Sequence, residues 1–157
     1  MRVLAIDPGY DRLGMAVLEG SASKPNLLWS TCVEIPKGER ETRLAHVYSN
    51  VMNVAKEYRP DLFALESLFF STNKKTALGV AEARGSALSA ASHAGLPVRE
   101  VAPGTVKLAV TGNGRADKKA IAQMIPLLVH LPPKKRLDDE LDAIAVGIAA
   151  LTLGYPQ

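Results

Sequence analysis

Four acidic residues stand where apolar structure ends or begins. Asp7 closes the apolar run Val3-Leu4-Ala5-Ile6, Glu66 closes Leu62-Phe63-Ala64-Leu65, and Asp139 and Asp142 open an apolar helix that runs toward Leu153. A carboxylate at the buried end of a strand needs a partner, because an unpaired buried charge costs several kcal/mol and takes up a proton instead. Three His and one Cys in 157 residues do not make an imidazole or thiolate cage, so the expected partner is a hard cation, Mg²⁺ or Mn²⁺. Four such carboxylates could hold two ions roughly 4 Å apart, activating a water and stabilising the leaving oxygen of a phosphodiester.

The spacing separates these acids from their neighbours. Asp139 and Asp142 are three residues apart and share a helix face, whereas the residue three on from Asp138 is Leu141. Asp138 and Glu140 read as helix caps, favoured by the dipole. Asp142 lies a full turn inside, next to Ala143-Ile144-Ala145-Val146. Taken singly, Asp7 also reads as a turn-starting residue before Pro8-Gly9, and Glu66 as a strand-end carboxylate facing solvent. Taken together, two strand ends and one helix N-terminus can converge in an α/β sheet, where ligands gather at the carboxyl ends of the strands.

The elements that must do this positioning follow the order β-β-β-α-β-α-β-α-α-α. Residues 2–7 read as a strand, and Asp7-Pro8-Gly9 with Arg12 and Gly14 as a turn into a second strand, Met15 to Glu19. A third strand is expected from Leu27 to Ile35, between Lys24-Pro25-Asn26 and Pro36-Lys37-Gly38. From Thr42 to Tyr58, Leu44, Val47, Val51, Val54 and Ala55 recur at helical spacing until Arg59-Pro60 stops them. Strands at 62–66 and 97–101 flank a helix at 75–94. Two short helices are expected at 103–110 and 117–129, around Thr111-Gly112-Asn113-Gly114-Arg115, and the last helix starts at or just before Asp138. Three antiparallel strands followed by strands alternating with helices imply an α/β sandwich with a mixed central sheet.

Composition bounds the reading further. At 47% apolar, the chain can bury roughly 70% of its unfolded surface in one core, so a single domain over 1–157 is expected. A lone Cys32 precludes an internal disulfide, the first apolar stretch breaks at Asp7 as no signal peptide does, and no apolar run spans a bilayer. A cytoplasmic protein is expected. The net charge of +3 is unevenly spread: residues 99–136 carry 8 basic and 2 acidic groups, and residues 137–157 carry 4 acidic and no basic ones. A basic segment directly before the acidic pair would draw in a polyanion, although a run such as Lys134-Lys135-Arg136 also reads as a solvated loop face. His46, His93 and His130 match no ligand spacing and read as surface or capping residues.

The helix at 75–94 carries Ala77, Ala81, Gly85, Leu88, Ala91 and Ala94 at near-helical spacing, so another element can approach it closely. Packing on its own sheet and a two-fold interface between copies both account for this stripe.

In order along the chain, A-I-D-P-G-Y-D-R-L-G (5–14), A-L-E-S-L-F-F, A-L-G-V-A-E-A-R-G, V-K-L-A-V-T-G-N-G-R-A-D-K and D-E-L-D-A-I-A resemble the RuvC Holliday junction resolvases over nearly the whole length. The resemblance implies a ribonuclease-H-like fold, with a mixed five-stranded sheet and helices on both faces. It also implies a homodimer and Mg²⁺-dependent paired cuts in four-way DNA junctions; a RuvA–RuvB-type branch-migration complex is a candidate partner on whose docking the sequence is silent. It places the metal-binding acids at Asp7, Glu66, Asp139 and Asp142, the functional lysines at Lys107 and Lys118, and the DNA-stacking aromatic at Phe69. Ser67 stands where the family often has Gln, and the charge of Arg115 is not characteristic of it. Physically, Phe69 could stack on an unpaired base before the polar stretch Ser71-Thr72-Asn73-Lys74-Lys75, and Lys107 and Lys118 could neutralise the scissile phosphate. Lys119, Arg115, Lys74 and Lys75 are expected as further nucleic-acid contacts. Three other readings remain: a YqgF-type nuclease acting on RNA, an actin-like or sugar-kinase ATPase domain, for which the chain is short, and a catalytically dead junction-binding protein, which four acids argue against.

Overall fold

The computed structural model describes residues 1–67 and 74–155. Its strands are Arg2–Pro8 (β1), Arg12–Ser21 (β2), Lys24–Glu34 (β3), Leu62–Glu66 (β4) and Val98–Val101 (β5). The helices are Arg40–Tyr58 (α1), Lys74–His93 (α2), Pro103–Thr111 (α3), Lys118–Leu128 (α4) and Asp138–Leu153 (α5). The sheet order is β3-β2-β1-β4-β5, with β1 antiparallel to β2, β2 antiparallel to β3, and β4 parallel to both β1 and β5. This is the mixed five-stranded sheet expected from the sequence.

Alternation along the strands sorts the core into two layers. Val3, Ala5, Ala16, Leu18, Leu62 and Ala64 face α3, α4 and α5, while Leu4, Ile6, Met15, Val17, Phe63 and Leu65 face α1 and α2. Helices therefore cover both faces. The period of two carries directly into the acids: Asp7 follows Ile6 and Glu66 follows Leu65, so both carboxylates turn toward the α5 side. Because Ile6 and Leu65 are partners in the parallel register, the two acids end adjacent strands at the same level.

Helix α5 reaches this sheet unusually closely because the residues beneath it are small. A Cβ on Gly147 would run into Leu18 and lie 3.4 Å from the Ala5 Cβ, and a Cβ on Gly14 would overlap the Asp139 carbonyl. The middle of α5, Ala143 to Leu151, is buried throughout.

Several boundaries differ from the sequence reading. Arg12 and Gly14 belong to β2, since the β1–β2 ladder continues through Asp7↔Gly14 and Pro8↔Leu13. The turn itself is tighter, closed by Gly9 N–H donating to the Arg12 carbonyl at 2.9 Å. Strand β3 starts at Lys24, because Pro25 and Asn26 pair with Gly20 and Glu19 across the second hairpin. The small-residue stripe on α2 is split between two environments. Ala91 is buried with Ala83, Ala87 and Ala90 against the sheet, whereas Ala77, Ala81 and Gly85 are exposed. Among the described residues, no helix is long and apolar enough to cross a membrane.

Candidate active site

The carboxyl ends of β1 and β4 open into a cleft of about 350 Å³ lined by Asp7, Glu66, Lys107, Lys118 and Asp142, with Val106, Ile121 and Val146 among its apolar walls. Strand periodicity delivers Asp7 and Glu66. Lys107 comes from α3. Lys118 is the first residue of α4, whose N-terminus is capped by Asp117 accepting from the Ala120 N–H at 2.8 Å. Asp142 is presented one turn into α5.

Asp139 shares its helix face with Asp142 but sits at the flank of the cleft. Its carboxylate is 3.2 Å from Arg12 Nε and 4.0 Å from Cys32 Sγ, on neighbouring strands β2 and β3. Lys118 Nζ donates to Asp142 at 2.9 Å. Asp139 and Asp142 therefore each have their own basic partner, Arg12 on one side and Lys118 on the other.

The electrostatics record how closely the acids crowd. Burial first, and then the charges of Asp142, Asp139 and Glu66, push the Asp7 carboxyl up from 3.8 to about 7, with Lys118 opposing. Burial and Asp142 likewise raise Glu66 against the pull of Lys118 and Lys107. The hydrogen bond to Asp142 holds the Lys118 ammonium more firmly protonated than usual.

An all-oxygen set in which burial and the charge of Asp142 raise the proton affinity of both Asp7 and Glu66 has the chemistry a hard cation relieves. The donor set thus fits Mg²⁺ or Mn²⁺, although, among the described residues, no three His, Cys, Asp or Glu side chains close around one point.

The other expected contacts are distributed around this cleft. Lys119 is exposed and lines a shallower depression beside Lys118, Asp138 and Asp142. Arg115 is exposed in the α3–α4 loop, its backbone N–H held by Asn113 Oδ1 at 3.0 Å, and it does not line the cleft. Phe69 and the side chains of Lys74 and Lys75 lie outside the described residues. His46, His93 and His130 are all exposed, as expected; His93 Nδ1 lies 2.6 Å from the Tyr48 hydroxyl.

Two readings require correction. Neither Asp138 nor Glu140 caps α5: the N-cap position is Leu137, with no side-chain cap hydrogen bond. Glu140 is instead buried, accepting from Ser30 Oγ at 2.6 Å and paired with Lys134 at 2.8 Å and Arg136 at 3.2 Å. Arg136 is therefore not part of a solvated face, because the buried carboxylate draws it inward, whereas Lys134 reaches the same carboxylate from an exposed position and Lys135 is exposed as well. Sequence reasoning also passed over Arg12 and the buried Arg84, which donates to the Glu66 carbonyl at 2.7 Å. A lone arginine among Ala, Gly and Ser in α2 was the available signal.

Strands bearing acids at the ends of β1 and β4, with a third and fourth acid from the helix that crosses them, define a ribonuclease-H-like nuclease fold. The family model for crossover junction endodeoxyribonuclease RuvC matches residues 3–150, and the chain belongs to that family. A crossover junction endodeoxyribonuclease RuvC of Moorella thermoacetica is 42% identical over 149 residues, covering 94% of this chain and 89% of the relative. One from Thermotoga petrophila is 40% identical over 148 residues, covering 94% and 90%. Among solved structures, Thermus thermophilus RuvC in complex with a Holliday junction substrate superimposes with a TM-score of 0.88 at 33% identity, over 95% of this chain and 92% of that one. The yeast mitochondrial Holliday junction resolvase Ydc2, at 13% identity and a TM-score of 0.68 over 96% of this chain and 77% of its own, shares the fold.

Proposed function

We propose that the chain is a single-domain, structure-selective endonuclease that resolves four-way DNA junctions by metal-dependent paired strand cleavage in recombination and repair. The observation that carries this reading is the meeting of Asp7, Glu66 and Asp142 with Lys107 and Lys118 in one cleft, with Asp139 on its flank. The family membership and the likeness to a junction-bound relative support the choice of substrate.

In this reading Asp7, Glu66, Asp139 and Asp142 hold Mg²⁺, with Mn²⁺ able to replace it, as two ions per site. The ions, when bound, supply an activated water and a charge that stabilises the leaving oxygen. The protein's own residues do the rest. Lys118 and Lys107 face the scissile phosphate from α4 and α3 and stabilise the charge that develops on it. Asp7 must lose its proton before it can hold a cation, so protons compete with metal and metal binding tightens as pH rises. Lys119, Arg115, Lys74 and Lys75 contact the backbone of the arms. Phe69 stacks on an unpaired base at the crossover.

Two copies acting on one junction account for paired cuts, and the exposed Ala77-Ala81-Gly85 side of α2 permits close approach of a partner. A cytoplasmic setting and docking to a RuvA–RuvB-type complex complete the proposal.

Labelled four-way junction, linear duplex and RNA hairpin, each incubated with and without Mg²⁺, test it. Symmetrically placed nicks in two opposed junction strands, only with metal, are expected. Cleavage of the RNA hairpin with the junction left intact would instead point to a YqgF-type activity.

A further inference from the structure

The Arg84 guanidinium is buried in α2, on the opposite face of the sheet from the acidic cleft, and none of the roles above uses it. Its two arms reach different strand ends. Nη1 donates to the backbone carbonyl of Glu66 at 2.7 Å, and Nη2 pairs with Glu100 Oε1 on β5 at 2.8 Å. The register explains why that carbonyl is met by a side chain. Pairing of β1 with β4 ends at Ile6↔Leu65, and Pro8, two residues on, has no N–H with which to extend the ladder. On the other side of the same peptide, the Ser67 N–H donates to the Val101 carbonyl at 2.8 Å. The peptide between Glu66 and Ser67 is thus fixed at both polar atoms, one by β5 and one by Arg84.

We infer that Arg84 is a positioning residue for Glu66: its forked contact with the Glu66 carbonyl and Glu100 fixes the plane from which the Glu66 carboxylate projects into the cleft. The inference rests on the nuclease reading of that cleft. A guanidinium suits the task because its planar donors hold two acceptors in fixed relation, which an ammonium on a flexible stem cannot. The buried charge is neutralised by Glu100, whose carboxylate is half exposed. Residues that orient a metal-holding carboxylate without touching the cation typically alter affinity or activity about 10- to 100-fold when changed.

The test uses the full chain and four proteins: wild type, Arg84→Lys, Glu100→Ala and Glu66→Gln. Mn²⁺ binding without DNA is followed by the loss of the free-ion EPR signal, and single-turnover junction cleavage is followed against Mn²⁺ concentration well below each protein's Tm. Arg84→Lys is expected to need about 10-fold more Mn²⁺ in both titrations while binding metal-free junction as wild type does. Glu100→Ala, with the fork released at its other end, is expected to shift in the same direction by a smaller factor, and it decides the matter if Arg84→Lys does not fold. A lowered Tm with wild-type Mn²⁺ titrations in the folded variant would make Arg84 a mere strut and overturn the inference. Inactive Glu66→Gln beside wild-type Arg84→Lys would sink the inference alone, whereas Glu66→Gln that cleaves normally would take the reading of the cleft with it.

Discussion

The carbonyl of Asp139 occupies the space a Cβ on Gly14 would need, and Gly14 is the register partner of Asp7 across β1 and β2. One missing side chain therefore sets how near the first turn of α5 comes to the strand that carries Asp7. Gly14→Ala should push that turn away, costing about 1–3 kcal/mol of stability and lowering cleavage well below wild type at temperatures where the variant is folded. Denaturant unfolding and single-turnover cleavage of the same preparation check both parts.

Asp7→Asn should stabilise the metal-free protein in a pH-dependent way. Because the folded carboxyl is raised from 3.8 to about 7, the folded state of wild type binds more protons than the unfolded state between those values, and its stability falls as pH rises through that window. The advantage of Asp7→Asn should be absent near pH 4, grow up to about pH 7 and stay level above it. Melting in EDTA across this range measures the difference between the two curves. A flat difference would mean that burial and the neighbouring acids do not raise the Asp7 carboxyl.

Lys118→Met should separate chemistry from stability. The Lys118–Asp142 ion pair is largely exposed on the lysine side, so its loss should change unfolding free energy by less than about 1 kcal/mol. Cleavage should fall about 10²-fold under saturating enzyme, since the ammonium acts on charge that appears in the transition state. Metal-free junction binding should change little, because many other phosphate contacts remain. Rate and binding measured on one junction settle the comparison.

Glu140→Ala should be among the more damaging changes although Glu140 does not line the cleft. It strips the partner from the nearly buried Arg136 and leaves Ser30 Oγ and Lys134 without their shared carboxylate, for a loss of about 3 kcal/mol. Urea unfolding of Glu140→Ala beside Asp138→Ala gives the contrast, since the exposed Asp138 should cost far less.

Much of this arrangement was legible in the chain because it depends on local period. Four apolar residues and then an acid, twice over, already fix which way Asp7 and Glu66 turn once the strands are buried, and the i, i+3 spacing of Asp139 and Asp142 fixes their shared face. What the pattern could not carry are partners distant in sequence. The dipole argument made a cap of Glu140, but its fate is decided by Ser30, 110 residues away. Gly14 looked like a turn residue until α5 was laid across it. In α2, small residues lie on both the buried and the exposed sides, so Ala91 and Ala81 cannot be told apart by hydrophobicity, and Arg84 among them shows no preference for either strand end it joins.

The most direct measurement is single-turnover cleavage of a four-way junction, at saturating protein and Mg²⁺, by wild type and by Asp7→Asn, Glu66→Gln, Asp139→Asn and Asp142→Asn. If the four acids form one metal-dependent site, each variant should leave the junction uncut over the time wild type needs to finish. Each should also bind metal-free junction at least as tightly as wild type, with one negative charge fewer facing the phosphates. Paired cuts at the wild-type rate by Asp7→Asn or Glu66→Gln would contradict it.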